Sequence, residues 1–291
     1  MQEVEVVQNR NIYVRDIAFW TKAIFTTYLF EMKKQWKKFI IFAVLALTFV
    51  LLLSYLPYLL VPDNPLPETQ IDYFQSGLQF FIMIVIFSSC FFFGGIICSE
   101  FGEKTGHIVF PIINRYKIIS GKFLADFTLL TGVIACFYFS LGYLSIMYYD
   151  TLWINKILMS FFIALLYALG ISSFVTLFSS LLKSVSMSIV ASIMVLLIAN
   201  MMIDVLLGLW LYKVEPIWSM NYMSNLISYI MESDFVSMER YAESSPHFGP
   251  GEGEKRGMWL TPSLFGGIGI ALTYTIVCLT LAMIIFKRKQ I

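Results

Sequence analysis

The sequence predicts an all-α integral membrane protein with six transmembrane helices. Of its 291 residues, 58% are apolar and only 13% are charged, whereas a soluble globular domain carries about 25% charged residues. The apolar residues gather into six long runs, each near the roughly 20 residues that a helix needs to cross a bilayer. Basic residues are segregated between these runs, which predicts the orientation of the chain.

The six runs define a transmembrane domain over residues 39–286. Backbone N–H and C=O groups inside lipid must pair within the segment, so runs rich in Leu, Ile and Phe are expected to be helices. The predicted spans are Phe39–Val61, Leu78–Cys98, Phe123–Tyr148, Ile157–Leu182, Ser186–Leu211 and Leu264–Phe286. An inner loop, residues 99–122, follows the second span, and an outer segment, residues 212–262, follows the fifth. A basic tail, residues 287–291, closes the sequence.

Lysine and arginine predict that both ends of the chain are cytoplasmic, because cytoplasmic connections carry an excess of these residues. Placing the first segment, the inner loop, the connection between spans 4 and 5, and the tail inside puts 15 of the 20 basic residues in the cytoplasm. The loop after the first span carries only acidic charges. We therefore expect a multi-pass protein of the cell membrane, in contact with the lipid bilayer and without a nucleic-acid partner.

Residues 1–38 are expected to be a cytoplasmic segment that contains an amphipathic helix lying on the membrane surface. Over residues 16–38, apolar side chains recur every three to four positions on one side, and basic side chains fall on the other. A helix of this kind lies in the interface with its cations toward the headgroups. The expected lipid contacts are Lys22, Lys33 and Lys37. The alternative is an ordinary basic flank of the first span.

Three polar residues within the predicted spans are candidates for function, because acids inside a bilayer are costly. Asp126 lies near the inner end of the third span, where it either snorkels to the interface or pairs with Lys122. Asp204 lies deeper in the fifth span, one turn after Asn200. The alternative for Asp204 is a bond to a neighbouring helix or a position near the outer face.

The sequence contains no recognisable catalytic or metal-binding motif. Its two histidines, His107 and His247, lie in predicted loops, and no serine within a span has a basic partner for nucleophilic catalysis. A G-x-x-x-x-G-K-[ST] phosphate-binding loop is missing, so this chain is not expected to hydrolyse ATP. The four cysteines fall inside spans, which predicts neither a disulfide framework nor a metal site. We expect no cofactor in this chain.

The outer segment, residues 212–262, is predicted to contain a short helix followed by a flexible stretch. Four large apolar residues recur every four positions, as on one face of a helix. They are Trp218, Tyr222, Leu226 and Ile230. Ser, Pro and Gly then cluster over residues 244–253, which is typical of a flexible connection. The segment is a lid, a docking surface for an extracytoplasmic partner, or a plain connection.

The inner loop is the most polar of the predicted cytoplasmic connections. Acids and bases flank an apolar centre in it. They are Glu100, Glu103, Arg115, Lys117 and Lys122, placed around Ile112 and Ile113. Pro111 suits the first turn of a short helix, because the N–H that proline lacks is not needed there. The expected structure is a short helix lying across the membrane face, with a solvated connector as the alternative.

The order of residues in this loop resembles that of the ABC-2 type transporter permeases. In that family a six-span subunit carries a loop of the form E-x-x-x-G-T…P-x-x-R…G-K between its second and third helices. The corresponding residues here are Glu100, Glu103, Thr105, Gly106, Pro111, Arg115, Gly121 and Lys122. Thr105 precedes Gly106, which reverses the family order. The resemblance covers residues 99–122 in motif and most of the chain in architecture.

The resemblance implies a permease subunit that works with a separate P-loop ATPase. ATP and magnesium would bind to that partner at the cytoplasmic face, and a second permease copy or a related permease would complete the translocation unit. The inner loop would couple the ATPase to the spans. Two other functions fit the sequence: a membrane anchor that recruits an extracytoplasmic partner, and an ion-coupled secondary transporter with Asp204 as its proton site.

Overall fold

The computed structural model describes residues 2–60, 66–102, 115–149, 153–210, 214–232, 235, 237–244 and 256–288. Within these ranges the chain is almost entirely helical, with one two-stranded hairpin. Six helical stretches are long and apolar enough to cross a membrane, and each predicted run falls on one of them. They are span 1, Lys22–Leu60; span 2, Gln70–Glu100; span 3, Tyr116–Tyr149; span 4, Ile154–Leu181; span 5, Val185–Leu207; and span 6, Leu264–Arg288.

The first two spans are each built from more than one helix. Span 1 belongs to α1, Gln2–Val50, which continues through a π-helical turn, Leu51–Tyr55, into α2, Leu56–Leu60. Span 2 contains α3, Gln70–Leu78, and α4, Phe81–Phe93, and ends in the short helix α5, Cys98–Gly102.

The other four spans are long helices or helix pairs. Spans 3 and 4 are α6, Arg115–Tyr149, and α7, Ile154–Leu181. Span 5 is α8, Val185–Met194, a π-helical turn, Val195–Ala199, and α9, Asn200–Trp210. The outer segment contributes α10, Met220–Tyr229, and two antiparallel strands, β1, Tyr241–Ser244, and β2, Arg256–Trp259. Span 6 is α11, Leu264–Arg288.

No boundary separates a surface helix from span 1. Residues 2–50 contain neither glycine nor proline and form one helix of 49 residues, about 74 Å long at 1.5 Å per residue. Sharp bends in helices occur at proline, at glycine or at π-bulges, and the first π-helical turn begins only at Leu51. The predicted surface helix over residues 16–38 is therefore not a separate element, although its lysines Lys22, Lys33 and Lys37 are exposed.

Two pairs of spans pack closely, and span 2 lies between them. α1 packs along α6, and α7 packs along α11. α1 and α6 run parallel, since Gly121 of α6 meets α1 at Thr27 and Gly132 meets it further along at Phe39. α4 contacts both α6 and α7, so span 2 joins the two pairs, and α8 of span 5 packs against α4 and α7.

Aromatic side chains fill the space between span 2 and the helices around it. The rings of Phe81 and Phe137 lie 5.2 Å apart, and Phe81 meets Tyr138 edge to face at 5.4 Å. The Tyr138 hydroxyl, which is buried, lies 2.9 Å from the Ser160 hydroxyl, and Ser160 donates to the Ile227 carbonyl at 2.6 Å. These bonds satisfy polar groups in the core and tie α6, α7 and α10 together.

The spans define two opposite ends of the bundle. The loop end holds residues 22–38 of α1, the helix α5 and the start of α6, on either side of the inner loop. The hairpin end holds α10 and the β1–β2 hairpin. It is closed by hydrogen bonds from Gln70 to Ser145 at 2.8 Å and from Asn225 to the Leu260 carbonyl at 2.8 Å.

The predicted short helix of the outer segment is confirmed as α10. Three of its four marker residues, Tyr222, Leu226 and Ile230, are buried. The helix starts at Ser219, whose hydroxyl accepts from the Tyr222 N–H at 3.1 Å and so satisfies one of the free donors of the first turn. The predicted flexible stretch over residues 244–253 lies, after Ser244, outside the described residues.

A substitution at Gly121 tests the close contact between α1 and α6. A Cβ there would lie 2.9 Å from both the Ile24 carbonyl oxygen and the Thr27 Cβ, whereas a Cβ at Gly142 of the same helix would meet nothing within 4 Å. We expect Gly121→Ala to destabilise the fold by about 1–3 kcal/mol, the usual effect of overpacking. Gly142→Ala is the matched control and should be neutral or slightly stabilising, since alanine favours helix over glycine by about 1 kcal/mol. Equal thermal unfolding midpoints in detergent would contradict this packing.

Candidate functional site

A group of charged side chains lies at the loop end, where the inner loop leaves and re-enters the bundle. We call it the charge cluster. α1, α5 and α6 supply three acids and three lysines to it. They are Glu31, Lys34 and Lys38 from α1, Glu100 from α5, and Lys122 and Asp126 from α6. α5 ends at Gly102 and α6 begins at Arg115, so the cluster lies beside both stems of the inner loop.

Lys122 is the centre of this cluster. Its ammonium group forms an ion pair with Glu100 and lies 4.0 Å from Glu31 Oε2. The three side chains are 7%, 14% and 4% exposed, in the order Lys122, Glu100, Glu31. Charges removed from water need partners, since an unpaired buried charge is strongly destabilising. Lys122 therefore holds α5 and α6 together and draws α1 toward both.

Glu31 lies on the face of α1 that packs against the bundle. The Gln35 amide donates to Glu31 Oε1 at 3.1 Å, and the Lys34 ammonium lies 3.8 Å from the same oxygen. Glu31 Oε2 has no hydrogen-bond partner within the described part of the chain, but the Lys122 ammonium lies 4.0 Å from it, so each carboxylate oxygen has a lysine beside it. Gln35 is also buried, so the polar contacts extend over a full turn of α1.

Asp126 lies one turn after Lys122 on α6 and is fully buried. The residue does not snorkel, and the expected ion pair with Lys122 is not formed, because Lys122 is directed to Glu100. Neither carboxylate oxygen of Asp126 has a hydrogen-bond partner among the described residues. Its charged neighbours are the cluster's lysines and Glu31. A buried acid without a hydrogen bond is costly, so Asp126 is the least satisfied member of the cluster.

The break between α4 and α5 is held from both sides of the bundle. Lys38 of α1 donates to the Phe91 carbonyl at 3.1 Å, near the end of α4. From the other side, the Ser179 hydroxyl of α7 accepts from the N–H groups of Ile97 and Cys98 at 3.0 and 3.2 Å. Ser179 thus satisfies backbone donors that the break leaves free.

The structure brings together only part of the predicted coupling residues. Glu100 and Lys122 meet in the charge cluster, Gly121 packs against α1, and Lys117 is buried nearby in sequence. Arg115 begins α6, but its side chain lies outside the described part of the structure. The other predicted residues also lie outside the described ranges. They are Glu103, Thr105, Gly106, Pro111, Ile112 and Ile113.

Sequence reasoning did not assign Glu31 or Gln35 to a site. The available signal was their spacing, because both lie in register with the buried apolar residues of α1. The buried stripe reads Glu31, Gln35, Phe42, Ala46 and Val50. Steps of four and seven residues keep to one face of a helix. A pair of polar residues on that face predicts a buried polar contact rather than a solvated one.

Asp204 has partners that favour the structural interpretation of this residue. Its Oδ2 accepts from the Ser219 hydroxyl at 2.8 Å and from the Asn221 amide at 2.9 Å. Because Ser219 also caps α10, the carboxylate anchors that helix to span 5 at the hairpin end. Asn200, one turn earlier, is partly exposed on the same span. These contacts show a bond to a neighbouring element near one face, which is the alternative that the sequence left open.

No protein-family model matches this chain, and no curated protein matches it either. In the described ranges, no group of three His, Cys, Asp or Glu side chains is arranged to hold a metal ion. The four cysteines are free thiols. The geometry of the charge cluster is thus the main structural guide to function.

Removing the central cation tests the energetic role of the charge cluster. Lys122→Met should lower the free energy of unfolding by about 3–5 kcal/mol, because it leaves buried carboxylates without their cation. Lys122→Arg keeps the charge and should cost less. Lys33→Met removes an exposed lysine from α1 and should change stability by about 0.5 kcal/mol or less. Denaturant unfolding in mixed micelles measures all three, and equal losses for Lys122→Met and Lys33→Met would refute the role of the cluster.

Proposed function

We propose that this chain is the membrane-spanning subunit of an ATP-driven transporter of the ABC-2 type. A separate P-loop ATPase, which carries ATP and magnesium, docks at the loop end. The inner loop and its two stems, α5 and the start of α6, receive it. Two such subunits, identical or related, form the translocation unit in the cell membrane. The loop end is then the cytoplasmic face.

The charge cluster carries this proposal. A coupling element must transmit a movement of the loop to the helices that the loop connects. This requires contacts whose separation is energetically costly. Glu100 and Lys122 join the two stems across the base of the loop, and Glu31 brings α1 into the same contact. Pulling these groups apart would expose unpaired charges in a dry site, so the three helices move together.

The uncovered surfaces of the spans support pairing with a second subunit. Within the most apolar stretch of each span, only 11% of residues in span 5, 22% in span 1 and 28% in span 6 are buried by the chain itself, against 67% in span 2. Large apolar side chains are exposed there, including Met194, Met201 and Met202 on span 5. Lipid and a second permease copy are the two environments that suit such faces.

The basic side chains at the loop end support its assignment as the cytoplasmic side. Lys22, Lys33, Lys37 and Lys183 are exposed at this end. Near an anionic leaflet each such cation contributes about 1 kcal/mol. We assign the same lipid contact to the lysines of α1, which lie at successive levels of this continuous helix and not side by side on the membrane surface.

The secondary-transporter alternative receives no support from Asp204, which serves as a structural anchor for α10. The anchor or scaffold alternative differs from the transporter in its partners. A scaffold would bind a protein at the hairpin end, whereas the proposed permease binds an ATPase at the loop end.

Photo-crosslinking in native membranes tests the coupling role. A benzoylphenylalanine at Ile112 or Ile113 should crosslink to a P-loop ATPase, and one at Glu239, exposed at the hairpin end, should not. In the purified complex, Arg115→Glu should abolish the stimulation of ATP hydrolysis by the permease while the six spans stay folded. Replacing both isoleucines with Ala should weaken ATPase binding. Crosslinks to an extracytoplasmic protein from position 239, with none to an ATPase from position 112, would establish the scaffold instead.

Orientation is tested by labelling single cysteines in a background with the four native cysteines changed to Ala. Glu239→Cys and Lys183→Cys both place the thiol at an exposed position, at the hairpin end and the loop end respectively. An impermeant maleimide should label position 239 in intact cells and label position 183 only after the membrane is opened. The reverse pattern would invert the topology and remove the loop from the ATPase side.

A further inference from the structure

A cavity at the hairpin end has the two parts of an amphiphile site, an apolar wall and cationic side chains. It has a volume of about 580 Å³ and lies between α7, the segment after α10 and the start of α11. The side chains that define it are Lys156, Met159, Glu232, Arg240, Leu264 and Phe265. We propose that this cavity binds a membrane lipid with a phosphodiester headgroup, and that the lipid's acyl chain lies along the apolar wall.

The apolar wall lies on surfaces that a bilayer would cover. Phe265 at the start of α11 is 85% exposed, and Met159 on α7 is 51% exposed. Both belong to spans, so lipid chains are the medium that such side chains suit. Leu264, which is partly buried, also lines the cavity. An acyl chain placed against these residues stays within the hydrocarbon layer while its headgroup reaches the cations.

Lys156 is a cation with neutral close contacts. Its ammonium group donates to the Glu232 carbonyl and lies 5.8 Å from the centre of the Trp153 ring. No carboxylate lies within 4.0 Å of it among the described residues. An ammonium group has three donors, so Lys156 retains the capacity to bind an anion in the cavity.

Arg240 supplies the second cation from the other wall. One of its guanidinium nitrogens lies 3.2 Å from Glu215 Oε1, and both side chains of this pair are partly exposed. Five N–H donors in a fixed fork allow a guanidinium to bind a carboxylate and a phosphate oxygen together. The Tyr222 hydroxyl also donates to Glu215 at 3.0 Å, and burial together with this bond raises the pKa of Tyr222. Glu215 is thus served by two donors and does not depend on Arg240 alone.

The charges in and beside the cavity favour a singly charged headgroup over a doubly charged one. Two cations and one acid, Glu232, line it, and the Glu232 carboxylate is engaged by the Gln75 amide at 3.4 Å. Glu215, which pairs with Arg240, brings a second acid beside the cavity, so the two cations and two acids balance and the site suits a ligand of low charge. A doubly charged free phosphate would instead meet Glu232 at close range. The volume also exceeds that of an inorganic anion and is typical of sites that enclose larger, mostly apolar ligands.

This inference is independent of the proposed transporter. A lipid at the hairpin end would be held whether the protein couples to an ATPase or serves as a scaffold, because the described residues that line the cavity belong to α7, α11 and the outer segment.

Native mass spectrometry of the full-length protein, titrated with phosphatidylglycerol in detergent, tests the lipid site. Arg240→Gln should weaken binding about tenfold, as expected for loss of a charge-assisted hydrogen bond. Arg240→Lys, which keeps the positive charge, is its control and should retain most of the binding. Met159→Trp should fill the apolar wall and also lower binding, whereas Met147→Trp, at a 62% exposed position on α6, should not.

Soluble glycerol phosphate provides the second arm of this experiment. A short-chain phosphatidylglycerol should displace the bound lipid fully. Glycerol phosphate at the same concentration should leave the lipid bound. If glycerol phosphate competes equally well, the site takes a free anion and the lipid proposal is wrong. Binding that is unchanged in both Arg240→Gln and Met159→Trp would show that the lipid lies elsewhere. The two variants change different walls of the cavity. If one of them misfolds, lipid binding by the other still tests the proposal.

Discussion

A lysine buried among carboxylates sets the arrangement of the loop end. The charge of Lys122 is held out of water only while Glu100 and Glu31 stay beside it, and the two acids depend on Lys122 in turn. Replacing the whole group by apolar residues need not weaken a protein, but separating its members is costly. The positions of α1, α5 and α6 are therefore linked. The inner loop, whatever it binds, starts and ends on a base that cannot open without exposing charge.

The spans follow from the sequence because each depends on local composition alone. Runs near 20 apolar residues are sufficient to identify a membrane helix, and all six were located in this way. The predicted boundary between a surface helix and span 1 was wrong, because the pattern of residues 16–38 was interpreted without the residues that follow it. The buried positions of Glu31 and Gln35 become visible only when the helical phase is carried on to Phe42 and Ala46.

Other features depend on partners distant in sequence and could not be predicted from local pattern. β1 and β2 have four residues each, and their pairing joins Tyr241 to Trp259 across a Gly- and Pro-rich stretch. Asp204 was identified as an unusual residue, but its role depends on Ser219 and Asn221, which belong to another helix. For Asp126, the expected neighbour Lys122 lies close by, but the expected ion pair between them does not form. Lys122 has a choice of acids, and only the fold decides that Glu100 is nearer.

Span 2 provides the physical connection between the two ends. It is the most enclosed of the six spans and contacts both the α1–α6 pair and the α7–α11 pair. At the loop end, Lys38 of α1 and Ser179 of α7 form hydrogen bonds on either side of the break between α4 and α5. At the hairpin end Gln75 donates to the Ser228 carbonyl and to Glu232, next to the lipid cavity. A displacement of α5 would therefore be passed to the α7–α11 pair through these contacts of span 2, since closely packed interiors transmit strain.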